Sequence, residues 1–271
     1  MSRLSLPELM KPSPMELEAF AIEAAAIAAE LIRKNLRSNV AIGRKSSPSD
    51  VVTQTDVDSE QLIRRVLASR TPGASFIGEE GGETWSGSTS IQWIIDPLDG
   101  TVNFTYGIPL FAVSIAAALD GRVVAGAVID VLCSETFSAS LGAGARRNGE
   151  SIDVSDCADL RQAMVTTGFS YDADLRRIQG CIVRDLLPLV RDIRCFGSAA
   201  LEICWVAAGR VDAYYERDTK LWDYAAGALI ASEAGAVVEL PCPENDGLSA
   251  IAPPQLFGAF RAAIEHPLVD Y

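Results

Sequence analysis

A mixed α/β fold is predicted by three features of the chain. Apolar residues recur at helical spacing in several stretches, Asp-Gly and Asn-Gly dipeptides separate short apolar runs as hairpin turns, and the second half alternates strand-like with helix-like segments. With 271 residues and 49% hydrophobic content, the chain can bury a sizeable core as one large domain or two closely packed halves. The only plausible seam lies around 156–163, dividing an N-terminal half (1–155) from a C-terminal half (156–271) of one compact unit.

The elements follow in order. Ser13-Pro14-Met15-Glu16 has the form of a capping box with proline at the first helical position. Leu17, Phe20, Ala21, Ala24, Ile27, Ala28 and Leu31 continue it as the buried face of a helix ending near Asn35. A second helix is expected from Asp56, a good N-cap by local pattern, with Leu62, Ile63, Val66 and Leu67 inward, stopping before Thr71-Pro72-Gly73. A strand over 75–78 delivers Glu79 and Glu80 at its end, and another spans 92–96. Strands 111–119 and 123–130 flank Asp120-Gly121, and Asn148-Gly149 makes a further hairpin. Beyond the seam come strand 164–168, helix 173–187, strand 193–196, helix 198–208, strand 211–216 and helix 222–234.

The richest segment is Trp93-Ile94-Ile95-Asp96-Pro97-Leu98-Asp99-Gly100-Thr101-Val102-Asn103-Phe104, where an apolar run ends in two carboxylates three residues apart and a glycine. Asp, Pro and Gly also build ordinary turns. With Glu79 and Glu80 upstream, however, the segment concentrates negative charge, and two like charges about 4 Å apart repel by about 4 kcal/mol at an effective dielectric near 20. A divalent cation removes that cost, and hard carboxylate and carbonyl oxygens suit Mg²⁺ better than zinc, with Mn²⁺ able to substitute. Gly100 and Thr101 start a short helix whose amides face a phosphate.

Composition excludes several other classes. A formal charge of −13 argues against a nucleic-acid or anionic-membrane surface. Six cysteines without a CxxC pair point to neither a zinc knuckle nor a disulfide framework, and reduced, buried thiols are expected. No apolar run reaches the ~18 residues of a spanning helix and no signal-like core opens the chain, so a soluble cytoplasmic protein is expected. The single histidine, His266, stands near the C-terminus, which argues against a Ser/His/Asp triad, a phosphohistidine or a multi-histidine metal site.

Together with Lys45-Ser46-Ser47-Pro48-Ser49-Asp50-Val51-Val52-Thr53-Gln54-Thr55-Asp56, Gly78-Glu79-Glu80 and Leu221-Trp222-Asp223-Tyr224-Ala225-Ala226-Gly227, the WxIDPxDGTxNF segment resembles the inositol monophosphatase family, in order from about residue 45 to 235. The resemblance implies a layered αβαβα sandwich, shared with fructose-1,6-bisphosphatases, with the metal site between the halves. It implies Mg²⁺-dependent, lithium-sensitive hydrolysis of a small-molecule phosphate ester, inositol 1-phosphate foremost, by a homodimer holding two or three ions per subunit. Carried over residue by residue, Glu79, Asp96 and the Leu98 carbonyl bind one metal, and Asp96, Asp99 and Asp223 a second. Glu79 and Thr101 orient the attacking water, and Asp56 supports a looser ion or the water network. Asp99, Gly100 and Thr101 hold the phosphate, while Gly197, Ala199 and Glu216 contact the polyol.

Other readings stay open. Asp223 can be a helix N-cap, Ser198 can cap the helix after Gly197, Glu80 and Lys45 can be surface groups, and Lys220 has no assigned role. Histidinol phosphate, fructose 1,6-bisphosphate or 3′-phosphoadenosine nucleotides are alternative substrates for the same chemistry. Some bacterial relatives act as accessory proteins in ribosomal RNA transcription. Segment 236–255 departs from the family pattern: Glu233-Ala234-Gly235-Ala236 replaces EAGG, and the familiar DxxGxP turn is missing. That puts the final strand pairing and the pocket rim in question.

Overall fold

The structure, a computed structural model, describes residues 11–36, 41–44, 51–84 and 88–265; Lys45 and His266 lie outside them. Helix α1 (Pro14–Lys34) opens on the expected box, with Ser13 Oγ accepting from Glu16 N and the Glu16 carboxylate accepting from Ser13 N. Its buried stripe is Leu17, Ala21, Ala24, Ala25, Ala28, Ala29 and Ile32, so Ile27, expected inward, faces out instead, and the alanines let the helix lie close on its sheet. After β1 (Ala41–Arg44) and β2 (Val51–Thr53) comes α2 (Gln54–Arg70). Asp56 is not its N-cap: Thr53 is, and Asp56 closes a capping box from the third helical position, accepting from Thr53 N at 2.9 Å. The local pattern points to Asp56, and the reciprocal pairing of Thr53 and Asp56 puts the cap three residues earlier.

Strands β3 (Ser75–Gly78), β4 (Gly82–Thr84) and β5 (Ile91–Asp99) precede the short helix α3 (Thr101–Tyr106). Then follow β6 (Ala112–Leu119), β7 (Arg122–Asp130), β8 (Thr136–Ser140), β9 (Ala145–Arg147) and β10 (Glu150–Ile152). These strands form an eight-stranded sheet in the order β10-β9-β8-β7-β6-β5-β3-β4, antiparallel except between β3 and β5. Both predicted hairpins are present, with left-handed backbone at Asp120-Gly121 (φ 50°, 81°) and Asn148-Gly149 (φ 53°, 82°) as a two-residue primed turn requires.

The second half supplies β11 (Met164–Thr167), α4 (Ala173–Leu186), β12 (Asp192–Arg194), α5 (Ala199–Ala207), β13 (Ala213–Arg217), α6 (Leu221–Glu233), β14 (Val237–Glu239), β15 (Leu248–Ala252) and α7 (Pro254–Ala263). Its five strands run β12-β11-β13-β15-β14. The atypical segment after α6 therefore still yields a paired strand, with Val237 opposite Ala252. Asn245 organises the intervening turn: its amide nitrogen donates to the carbonyls of Leu240 and Leu248, while its oxygen accepts from Cys242 N and Leu248 N.

Three apolar clusters define the layers. α1 and α2 cover one face of the large sheet through Trp93, Ile95, Ile115 and Ile129. The other face packs α5 and α6 through Ile94, Ala116 and Val128, and this cluster reaches Tyr214 and Ile251 of the small sheet. The outer face of the small sheet, through Tyr215 and Ala250, receives α4 and α7. The arrangement is the αβαβα sandwich. Adjacent Tyr214 and Tyr215 point into different cores because successive strand residues face opposite ways. All six cysteines are unpaired thiols, but only Cys204 is buried. Among the described residues no helix is long and apolar enough to cross a membrane.

Candidate active site

β5 carries the richest segment to the edge of a cavity of about 720 Å³ lined by both halves of the chain. Asp96 opposes Ser114 of β6 and Asp99 opposes Ala112, so three steps along β5 match two along its partner. That irregularity is a bulge. It lets two carboxylates an odd number of residues apart meet the same space, and Pro97, which has no N–H to give a ladder, occupies it. Leu98 N donates to Asp96 Oδ1 at 3.0 Å, which turns the Leu98 carbonyl toward Thr101; the Thr101 hydroxyl lies 3.0 Å from that oxygen and 2.8 Å from Asp56 Oδ1. Its single proton serves one of them at a time. Gly100 has φ 95°, and a Cβ there would stand 3.1 Å from the Leu110 carbonyl and 3.2 Å from that of Gly197, so only glycine fits.

The cavity wall gathers Glu79, Asp96, Leu98, Asp99, Gly100, Thr101, Gly197, Ala199, Glu216 and Asp223; Asp56 stands just behind, reached through Thr101. Asp99 has a second engagement. Its Oδ2 accepts from Ser198 Oγ at 2.6 Å and from Ala200 N at 2.8 Å. Ser198 is the N-cap of α5, but its own side chain makes no cap bond; Asp99, from the other sheet, does that work. Asp223 is likewise not an N-cap: Lys220 holds that position, and Asp223, in the first turn of α6, accepts from Lys220 N at 2.6 Å. The Lys220 ammonium pairs with Asp218 at the rim.

Electrostatically the floor is costly. Burial, then the neighbouring charges of Glu79, Asp99 and Asp223, hold Asp96 well above the ordinary carboxylate range. Burial raises Asp99 to about 6 against the pull of the Ser198 and Ala200 donors, and burial raises Asp223 well above its usual value. Among the described residues no three His, Cys, Asp or Glu side chains are gathered as a ready-made metal cage. Asp96, Asp99 and Asp223 share the wall, each turned to a nearby N–H or O–H donor.

At the other end, Glu216 Oε2 accepts from Tyr214 OH at 2.9 Å, and its carboxylate lies on Gly168, where a Cβ would come within 2.3 Å of it. Burial raises Glu216 to about 8. Residue-by-residue reading missed Glu202, whose Oε1 accepts from Phe196 N and Gly197 N at 2.9 and 3.0 Å and so shapes the loop before α5. It also missed Asn103, whose amide donates to Leu110 O and Phe196 O and ties that loop to α3. The signal for Asn103 lay inside the motif; that for Glu202, a carboxylate one turn into an apolar helix, was visible but had no partner in sequence.

A family model described as the inositol monophosphatase family matches residues 13–258. The chain belongs to the inositol monophosphatase family. An inositol-1-monophosphatase of Mycobacterium leprae is 44% identical over 247 residues, 85% of each chain. A Nus factor SuhB of Pasteurella multocida is 41% identical over 242 residues, 88% of this chain and 89% of that one. The solved structure of Mycobacterium tuberculosis SuhB superposes with a TM-score of 0.81 at 41% identity, covering 94% of this chain and 98% of the other. Membership makes this a phosphatase-family fold.

Proposed function

We propose that this chain is a Mg²⁺-dependent phosphomonoesterase acting on inositol 1-phosphate. The observation that carries the reading is the shared wall of Glu79, Asp96, Asp99 and Asp223, where the other three charges help hold buried Asp96 well above the ordinary carboxylate range, beside the amides of Gly100 and Thr101. An all-oxygen donor set of this charge fits a hard divalent cation. Glu79, Asp96 and the Leu98 carbonyl would hold one ion, and Asp96, Asp99 and Asp223 a second. Divalent cations in such a site supply an activated water and stabilise the leaving alkoxide. Glu79 and Thr101 orient the water, with Asp56 fixing the Thr101 hydroxyl at 2.8 Å. Asp99, Gly100 and Thr101 face the phosphate, while Gly197, Ala199 and Glu216 form the polyol end. Homodimerisation and lithium sensitivity belong to the same reading. Phosphate release from inositol 1-phosphate in Mg²⁺, abolished by a chelator and restored by Mg²⁺, is the expected result; release that survives the chelator refutes it.

A second reading, a binding role of the kind named for the Pasteurella multocida Nus factor SuhB, is supported by the 41% identity to that protein. The complete acid set favours catalysis. Under the binding reading alone, purified protein turns over no phosphate ester in a panel that includes histidinol phosphate, fructose 1,6-bisphosphate and 3′-phosphoadenosine nucleotides.

A further inference from the structure

Glu79 leaves β3 on a loop that is gripped from two sides. On one side Glu79 N donates to the Ile95 carbonyl at 3.3 Å, next to Asp96. On the other stands Glu60 of α2, only 2% exposed. Its Oε2 accepts from Glu80 N at 2.8 Å, and its Oε1 accepts from Gly81 N at 3.0 Å and from Arg64 Nε at 2.7 Å. Arg64 extends the grip, donating to Gly82 O at 2.8 Å and Thr84 Oγ1 at 3.0 Å. The loop is shaped around this carboxylate: a Cβ at Gly78 would come within 2.4 Å of Glu60 Oε1, and one at Gly81 within 2.6 Å. A buried ion pair of this kind is weak evidence for stability, since apolar residues of similar volume often serve as well. What apolar residues cannot do is collect two amides.

Glu60 also follows Asp56 by four residues, so the two carboxylates share one face of α2. Asp56 reaches Thr101, Ser59 donates to the Pro97 carbonyl at 2.9 Å, and Glu60 takes the amides after Glu79. A little over one turn of α2 thus holds both stretches by which the first half lines the cavity, the loop at Glu79 and the end of β5 with the start of α3.

We propose that Glu60, braced by Arg64, is a positioning residue that sets where the Glu79 carboxylate stands relative to Asp96, and thereby the affinity of the site for a divalent cation. The inference rests on the proposed role of Glu79 as a metal ligand. Calorimetric titration of Mg²⁺ into the full-length protein tests it, alongside the Mg²⁺ dependence of phosphate release. In Glu60→Gln one of the two amides faces an NH₂ group, and in Glu60→Asp the charge stays but the reach is lost. Both variants are expected to bind Mg²⁺ about tenfold more weakly, the scale seen when groups supporting a metal ligand are removed, with substrate KM at saturating Mg²⁺ unchanged. A folded Glu60→Gln with wild-type Mg²⁺ affinity overturns the brace. If that variant does not fold, Gly81→Ala decides: its Cβ crowds the Glu60 carboxylate without removing it, and unchanged Mg²⁺ affinity there is equally fatal. Wild-type protein that takes up no Mg²⁺ refutes the metal reading itself, a different result from a variant that binds as wild type does.

Discussion

Asp99 faces two tasks, its proposed part in the metal site and the capping of α5 through Ser198 and Ala200. Asp99→Asn keeps the shape and an acceptor for Ala200 N but removes the charge, so turnover is expected to fall by several orders of magnitude while circular dichroism stays native; full activity in Mg²⁺ refutes the assignment. Glu216 serves the opposite end. Leaving a buried hydroxyl without its hydrogen-bond partner costs about 1–3 kcal/mol, so Glu216→Ala is expected to lower kcat/KM for inositol 1-phosphate about tenfold to a hundredfold and to spare glycerol 2-phosphate. Equal losses on both esters count against a polyol contact. Glu202 gives a pH signature. Burial, opposed by the Phe196 and Gly197 amides, raises it to about 8 from 4.5, so the folded chain holds a proton there that the unfolded chain releases. Stability from this group is full below about pH 4.5 and is lost as pH rises toward 8. Thermal melts test this: Glu202→Gln stays neutral at every pH, so wild type should match it at low pH and fall below it as pH rises from about 4.5 toward 8, whereas a wild type that gains on the variant as pH rises refutes the assignment.

At the scale of elements, two capping boxes of the same design do different work. Ser13 caps α1 at an exposed end, so Ser13→Ala should cost about 1 kcal/mol in denaturant unfolding and leave turnover alone. Thr53 caps α2 and also binds the Asp56 carboxylate that reaches Thr101. Thr53→Ala should cost a similar amount and lower kcat as well. Equal activity of the two variants would show that α2's first turn is only scaffolding. The capping signals were legible because they are local, a side chain meeting an amide three residues on. Choosing between Thr53 and Asp56, or recognising that Asp99 replaces the Ser198 hydroxyl as the cap of α5, was not legible, since the deciding partner is remote or reciprocal.

For the whole molecule, the cavity forms where the large and small sheets face each other across α5 and α6, and each supplies part of its wall. Li⁺ is expected to inhibit at high Mg²⁺, and Asp223, from α6, should matter to that sensitivity; a LiCl titration giving the same curve for wild type and Asp223→Glu argues against it. The charge of −13 leaves direct RNA contact unfavourable, so retention of labelled RNA on a filter at physiological salt should be negligible.

What the sequence determined by itself was whatever depends on neighbours within a turn or two: the capping boxes, the Asp-Gly and Asn-Gly hairpins, the alternation of strands and helices, and a motif long enough to name a family. Tertiary structure decided the rest. The bulge that lets Asp96 and Asp99 share a space depends on register against β6, and the seat of Glu216 depends on the missing side chain of Gly168, just past the end of β11. Glu60 and Glu202 read as ordinary helix carboxylates until the loops they hold are folded against them, because a hydrogen bond to a loop, 20 residues on from Glu60 or five and six residues before Glu202, leaves no period in the chain.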